Sequence, residues 1–221
     1  MFLKTASHRL AVFHCGRNLA WYPQVISVLG ATRFSGYNPR KKPVLAPERK
    51  VVCLVGFMAA GKSTIGARLA QRLGWEFVDL DRVIEEMERM AVAEIFSRSG
   101  QAVFRNAETA ALNKVLSEAR KSTVLAIGGG GFASKENQAL LQNAGAVTVH
   151  LDAPIEELWT RANASGAPDR PLLRDRATFE ALWRSRIEQF RRVHHEYSTA
   201  GKDVETCTQE IEKSLQTKGV I

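Results

Sequence analysis

Residues 51–73, VVCLVGFMAAGKSTIGARLAQRL, decide the fold. Val51 to Val55 are apolar throughout, a short unbroken run that suits a strand covered on both faces. Gly56 closes the run, and Gly56 to Ser63 fit the phosphate-binding loop pattern of Gly, four residues, Gly-Lys and then Ser or Thr. Ile65, Leu69 and Leu73 then recur at four-residue spacing, one stripe of an amphipathic helix. The chemistry needs this order of strand, loop and helix. Consecutive backbone N–H groups and the positive end of the helix together form a concave seat for phosphate oxygens. Gly61 lets the backbone turn where a side chain would collide, Lys62 brings a point charge to the outer phosphates, and the Ser63 hydroxyl is a ligand for Mg²⁺.

The net charge of +8 lies upstream of this stretch: residues 1–50 carry nine lysines and arginines against one acid, Glu48, and the rest of the chain carries 22 of each sign. The leader has no sustained periodicity and breaks into turn-formers at Ser35 to Pro43 and at Ala46-Pro47. Residues 1–49 are therefore expected to be a basic, disordered extension, and residues 50–221 a single domain. An organelle transit peptide, a solvated basic tail and upstream sequence read from a start placed too early all fit the leader, which reads as dispensable. With the domain neutral, no nucleic-acid partner is expected. No run approaches the roughly 18 to 20 apolar residues of a membrane span. Cys15, Cys53 and Cys207 are too few and scattered for a disulfide framework, which fits a cytoplasmic location, with organelle import through the leader as the alternative. His14-Cys15 and His194-His195 lack the second ligand pair of a zinc site.

After the first helix, Trp75 to Val78 lead into Asp79-Leu80-Asp81, read as a short strand ending in two acids whose side chains point to opposite faces, with a helix N-terminus dressed with acids as the alternative, since Val83, Ile84, Met87 and Met90 follow at helical spacing. Residues 82–120 hold no strand-like run and break near Ser99-Gly100, so they predict two or three helices, an insertion that would bind substrate. Thr123 to Ile127 form the next buried run and end in Gly128 to Gly131, where a ligand can lie directly against the backbone. A helix over 134–143, a strand over 146–151 and a helix start at Asp152-Ala153-Pro154 follow. Asn163 to Arg176, polar and arginine-rich, read as a mobile loop. A long helix with Phe179, Leu182, Trp183 and Phe190, a fifth strand near 194–199 and a closing helix near 203–216 complete the chain. Composition and spacing thus point to a nucleotide-binding, three-layer α/β domain with a parallel sheet that transfers phosphate.

From Val51 onward the chain also resembles the shikimate kinases. The likeness rests on GFMAAGKST, Asp79-Leu80-Asp81, Phe104-Arg105 with Glu108, the glycine run, Arg170-Pro171-Leu172-Leu173 and Arg186, in the family's order. It implies a nucleoside-monophosphate-kinase-like fold with a five-stranded parallel sheet, a helical substrate-binding insertion and a mobile lid. It also implies ATP-dependent phosphorylation of the shikimate 3-hydroxyl, in aromatic amino acid (chorismate) biosynthesis, by a monomer using one Mg²⁺ ion. Carried over by motif, Ala59, Ala60, Gly61, Lys62, Ser63 and Thr64 would hold the ATP phosphates, with Ser63 and Asp79 serving the metal. Asp81 would orient or deprotonate the attacking hydroxyl, Arg105 and Arg186 would take the carboxylate, and Gly128, Gly129 and Gly130 would meet the substrate through backbone. Lys62, Asp81 and Arg170 would be the catalytic set, with Arg170 on the transferred phosphate and Arg161 and Lys202 beside the adenine.

Four departures from the family pattern stand out. Ala59 replaces a common glycine, Gln101 replaces an acid that would pair near Arg105, the lid between Arg161 and Arg170 is about two residues longer than is typical, and Glu188 and Phe190 replace proline and tyrosine. A kinase of another small hydroxy acid such as gluconate, and a non-catalytic nucleotide-binding relative, are the alternatives.

Overall fold

The structure is a computed structural model and describes residues 49–164 and 175–221. Strand β1 (Val51–Val55) is buried at every residue. After the loop, helix α1 (Lys62–Leu73) buries Ile65, Leu69 and Ala70, and Gly74, left-handed at φ 65°, ends it by donating its N–H to the carbonyls of Ala70 and Gln71. Strand β2 (Glu76–Asp79) then turns at once into α2 (Leu80–Glu88). Asp81, expected to continue the strand, instead lies in the first turn of α2. Asp79 caps that helix, its carboxylate accepting the Asp81 N–H at 3.2 Å. The two acids therefore leave one backbone corner rather than opposite faces of a strand.

Helix α3 (Val92–Glu118) bends at Gly100, where φ is 79° and ψ 174°, so the break expected there is a kink between two arms. With α2 it forms the helical insertion before β3 (Thr123–Ala126). Within the glycine run, Gly129 begins a short helix that the sequence reading did not include, α4 (Gly129–Ala133). Helix α5 (Lys135–Asn143), capped by Ser134, leads to β4 (Val147–Asp152). Helix α6 (Ile155–Ala164) takes in Asn163, and Arg176 begins α7 (Arg176–Phe190), which shortens the expected loop at both ends. Residues 165–174, with Arg170, lie outside the described residues. Strand β5 (His195–Ser198) and α8 (Val204–Thr217) finish the chain.

All four strand pairings are parallel, in the order β2-β3-β1-β4-β5. Leu54 and Asp79 are both level with Ala126, so β1, β2 and β3 end together along one edge of the sheet. The phosphate-loop sequence, Asp79 and the glycine run all start from that edge, which is where open parallel sheets bind ligands. Beneath it, Leu54, Val124, Leu125 and Leu151 of the sheet join Leu69, Leu112, Leu141 and Leu158 of the helices in one apolar core. Among the described residues no helix is long and apolar enough to cross a membrane.

The loop after β1 is anchored from outside. Phe57 packs edge-on against Phe179 with ring centroids 5.0 Å apart, and Phe179 meets Trp159 of α6 at 5.2 Å. Truncating Phe179, which is fully buried, is expected to cost about 3–5 kcal/mol. In thermal melts Phe179→Ala should therefore lower Tm by about 6–20 °C, and a shift below 3 °C would show that this cluster does not hold the loop.

Candidate active site

The loop from Gly56 to Gly61 rounds the end of β1 and presents the N-terminus of α1. Gly61, the helix N-cap, has φ 90°, and Ala59 has φ 61°. Both lie in the left-handed region, which a residue with a Cβ enters at a cost of about 1–2 kcal/mol. The Lys62 ammonium bends back into the loop and donates to the Phe57 carbonyl at 2.9 Å. The Ser63 hydroxyl donates to the Asp79 carboxylate at 2.5 Å. That contact exists because β2 ends level with β1, and it joins two oxygen donors of the kind that hard divalent cations take.

From this loop a cavity of about 1020 Å³ runs over the glycine run toward α2, α3 and α7. At its far end Arg105 Nη1 pairs with the Glu108 carboxylate at 2.6 Å, and Glu108 is 1% exposed. Burial pushes the Glu108 carboxyl above its ordinary range, Arg105 opposes that rise, Asp81 adds to it and Arg186 opposes it more weakly. Arg186 on α7 is held below its ordinary range, by burial first and then by the Arg105 charge. Glu108 therefore feels both guanidinium groups and the Asp81 carboxylate, and Arg186 feels both Arg105 and Glu108. A Cβ on Gly130 would strike the Arg105 guanidinium, and one on Gly131 would lie 2.5 Å from Glu108 Oε1. Only residues without a side chain let α4 approach the ion pair this closely.

The nucleotide-loop end has a second wall. Arg161 donates to the Thr199 hydroxyl at 3.0 Å and to the Thr199 carbonyl at 2.9 Å, and pairs with Glu157 at 2.5 Å. Lys202 pairs with Glu210 at 2.7 Å and lies 4.6 Å from the centre of the Tyr197 ring. Helix α8, which follows Lys202, is fastened to α1 by Arg68–Glu205 at 2.7 Å and Arg72–Glu212 at 2.6 Å.

The family model for shikimate kinase matches residues 58–216. The chain belongs to the shikimate kinase family. Over 168 residues it is 40% identical to a shikimate kinase of Geobacter metallireducens, an alignment covering 75% of this chain and 91% of that protein. Among solved structures it is similar to a shikimate kinase from Acinetobacter baumannii in complex with shikimate, with TM-score 0.70, 30% identity and coverage of 78% of this chain and 98% of that one. It is also similar to the shikimate kinase of Aquifex aeolicus, with TM-score 0.66, 28% identity and coverage of 76% and 98%.

Set beside the shikimate kinase motifs, the cavity collects every described residue singled out from sequence. Ala59, Ala60, Gly61, Lys62, Ser63, Thr64, Asp79, Asp81, Arg105, Gly128, Gly129, Gly130 and Arg186 all line it. Arg161 and Lys202 line the second wall. Glu108 belongs to the site as well, although the sequence reading gave it no role. The signal was its position three residues after Arg105 on a helix, which brings the two side chains together. Glu108 is also the partner that Arg105 finds in place of an acid at position 101. Phe96 and Phe104, with rings 4.4 Å apart, line the cavity too, but in sequence they are indistinguishable from an ordinary core face.

Two measurements follow from this geometry. Ala59→Gly removes a left-handed penalty of about 1–2 kcal/mol and adds unfolded-chain entropy worth about 0.4–1 kcal/mol. A net gain of about 0.5 kcal/mol, a Tm rise of about 1–2 °C and unchanged turnover are expected, and a fall in Tm would refute the strain. Because the Glu108 pKa is raised on folding, the folded state binds the extra proton, and wild-type stability falls as pH rises through the window above the ordinary glutamate value of about 4.3. Glu108→Gln lacks this loss, so melts without ligand should show its advantage growing from about pH 4 toward neutrality. A constant difference would contradict the burial effect.

Proposed function

We propose that this chain transfers the γ-phosphoryl group of ATP to the 3-hydroxyl of shikimate, giving shikimate 3-phosphate and ADP in aromatic amino acid biosynthesis. What supports the reading most is the meeting of Arg105 and Arg186 in one cavity with Asp81, beside a phosphate-binding loop. A small polyol acid needs a carboxylate clamp and hydroxyl acceptors next to its kinase's phosphate seat, and planar, always-charged arginine suits the clamp.

In this reading the loop N–H groups from Ala59 to Thr64 and the Lys62 ammonium take the outer phosphates. A phosphate oxygen is a stronger acceptor than the neutral Phe57 carbonyl that Lys62 otherwise engages. Arg105 and Arg186 fix the shikimate carboxylate, backbone of Gly128 to Gly130 takes a hydroxyl, and Asp81 accepts the proton of the attacking hydroxyl. As that oxygen bonds to phosphorus, the bond from phosphorus to the bridging oxygen breaks and ADP leaves. Arg170 is assigned to the transferred phosphate, and Arg161 and Lys202 to the two sides of the adenine. The Ser63 hydroxyl and the Asp79 carboxylate, already in contact, would hold one Mg²⁺ ion, which would supply neutralisation of phosphate charge. Positioning and charge neutralisation are the bulk of such catalysis. We assign the domain to residues 50–221, acting as a cytoplasmic monomer, with residues 1–49 outside the catalytic unit.

A coupled assay of ADP release decides the matter. Shikimate-dependent, Mg²⁺-dependent turnover is expected, with none on gluconate, and a chain lacking residues 1–48 should keep it. Lys62→Ala should abolish turnover, whereas Arg105→Ala should raise KM for shikimate by about 10- to 100-fold, the loss of a charged hydrogen bond worth about 1.5–3 kcal/mol. A folded chain inert toward shikimate refutes the substrate, and an unchanged KM in Arg105→Ala refutes the clamp.

A further inference from the structure

Helix α4 should not be stable on its own. Gly129, Gly130 and Gly131 make up most of its five residues, and each glycine is less favourable than alanine in a helix because more backbone freedom is lost. A single turn also bears the full cost of nucleation, and its N-cap, Gly128, supplies no side-chain bond. Glycine nevertheless leaves the room that the ion pair takes, because Arg105 and Glu108 occupy the space where side chains would stand on Gly130 and Gly131. On another side, Phe190 would lie 3.0 Å from a Cβ on Gly129, and it is itself stacked on His150 at 4.4 Å. Something beyond α4 has to hold it in register with the ion pair.

Two side chains of α5 do so. The Asn137 amide donates to the Gly131 carbonyl at 2.9 Å, and the Gln138 amide donates to the Phe132 carbonyl at 2.8 Å. Asn137 is 0% exposed, and its own Oδ1 has no hydrogen-bond partner. An unpaired buried acceptor bears the full cost of losing its water, a penalty that leucine, with the same branching, would avoid. Nor does Gly131 need Asn137 for satisfaction, since its carbonyl also accepts the Ser134 N–H at 3.2 Å. Stability alone therefore gives no reason for an amide at this position. A second, directional hold on Gly131, whose other side bears Glu108, does.

We propose that Asn137, seconded by Gln138, is a positioning residue for shikimate binding: it fixes the glycine helix on which the Arg105–Glu108 pair rests, and so sets the direction of the Arg105 guanidinium. This rests on the reading of Arg105 and Arg186 as the shikimate clamp. Neither amide is required to touch a substrate.

The test is calorimetric binding of shikimate and, separately, of ADP to the full-length chain, together with thermal melts. Asn137→Leu should melt within a few degrees of wild type, lose about tenfold in shikimate affinity and keep ADP affinity within about twofold. Gln138→Ala, at a half-buried position, should shift shikimate affinity in the same direction by about threefold, and it carries the test if Asn137→Leu does not fold. Shikimate affinity within twofold of wild type in the folded variants overturns the proposal. So do shikimate and ADP affinities that fall together with Tm, the mark of a merely structural residue. A wild-type chain that binds ADP but not shikimate instead overturns the substrate reading, and this inference with it.

Discussion

The far end of the cavity depends on one close approach, that of the Arg105–Glu108 ion pair to a backbone without side chains. Neither partner favours stability. A buried ion pair seldom repays its desolvation in full, and a glycine helix is among the weakest of local structures. The raised Glu108 pKa records the first of these costs, and the amides of Asn137 and Gln138 hold the second in check. The core of β1, β3 and β4 carries the domain, which leaves this region free to be arranged for charge and direction.

The parallel sheet supplies the common origin. Because β1, β2 and β3 end level, the loop, the Asp79–Ser63 contact and the glycine run leave the same edge. Residues some 70 positions apart in sequence thus face one volume. The same edge carries two regions: the Gly56–Gly61 loop with Lys62 on one side, and Arg105, paired with Glu108, together with Arg186 on the other.

Much of this was legible in the chain. An unbroken apolar run, a Gly-rich loop with Lys62 and Ser63 and a four-residue stripe can be satisfied together by little other than a strand, loop and helix, because each demands a different backbone period. The parallel sheet followed from alternating runs, and the kink at Gly100 from a break in a helical face. Asp81 was misread because a strand and the first turn of a capped helix share the same two acids, and only the Asp79 side chain turning to the Asp81 N–H separates them. Helix α4 was illegible for a deeper reason: local propensity argues against it, and the contacts that impose it come from α3 and α5. Glu108 lay between these cases, visible as a helical neighbour of Arg105 but without any local sign that it would be buried.

The ion pairs between α1 and α8 bear on how such a chain can change over time. They bind the phosphate seat to the wall that carries Lys202, making one firm half. The opposite half is α2 and α3, inserted between β2 and β3, with the second arm of α3 packed into the core through Ala111, Leu112 and Leu116. Mutations accumulating in that insertion can recut the pocket for a different small acid while leaving the nucleotide seat intact. The architecture therefore lets acceptor choice drift as a separate trait, with the phosphate donor as its fixed inheritance.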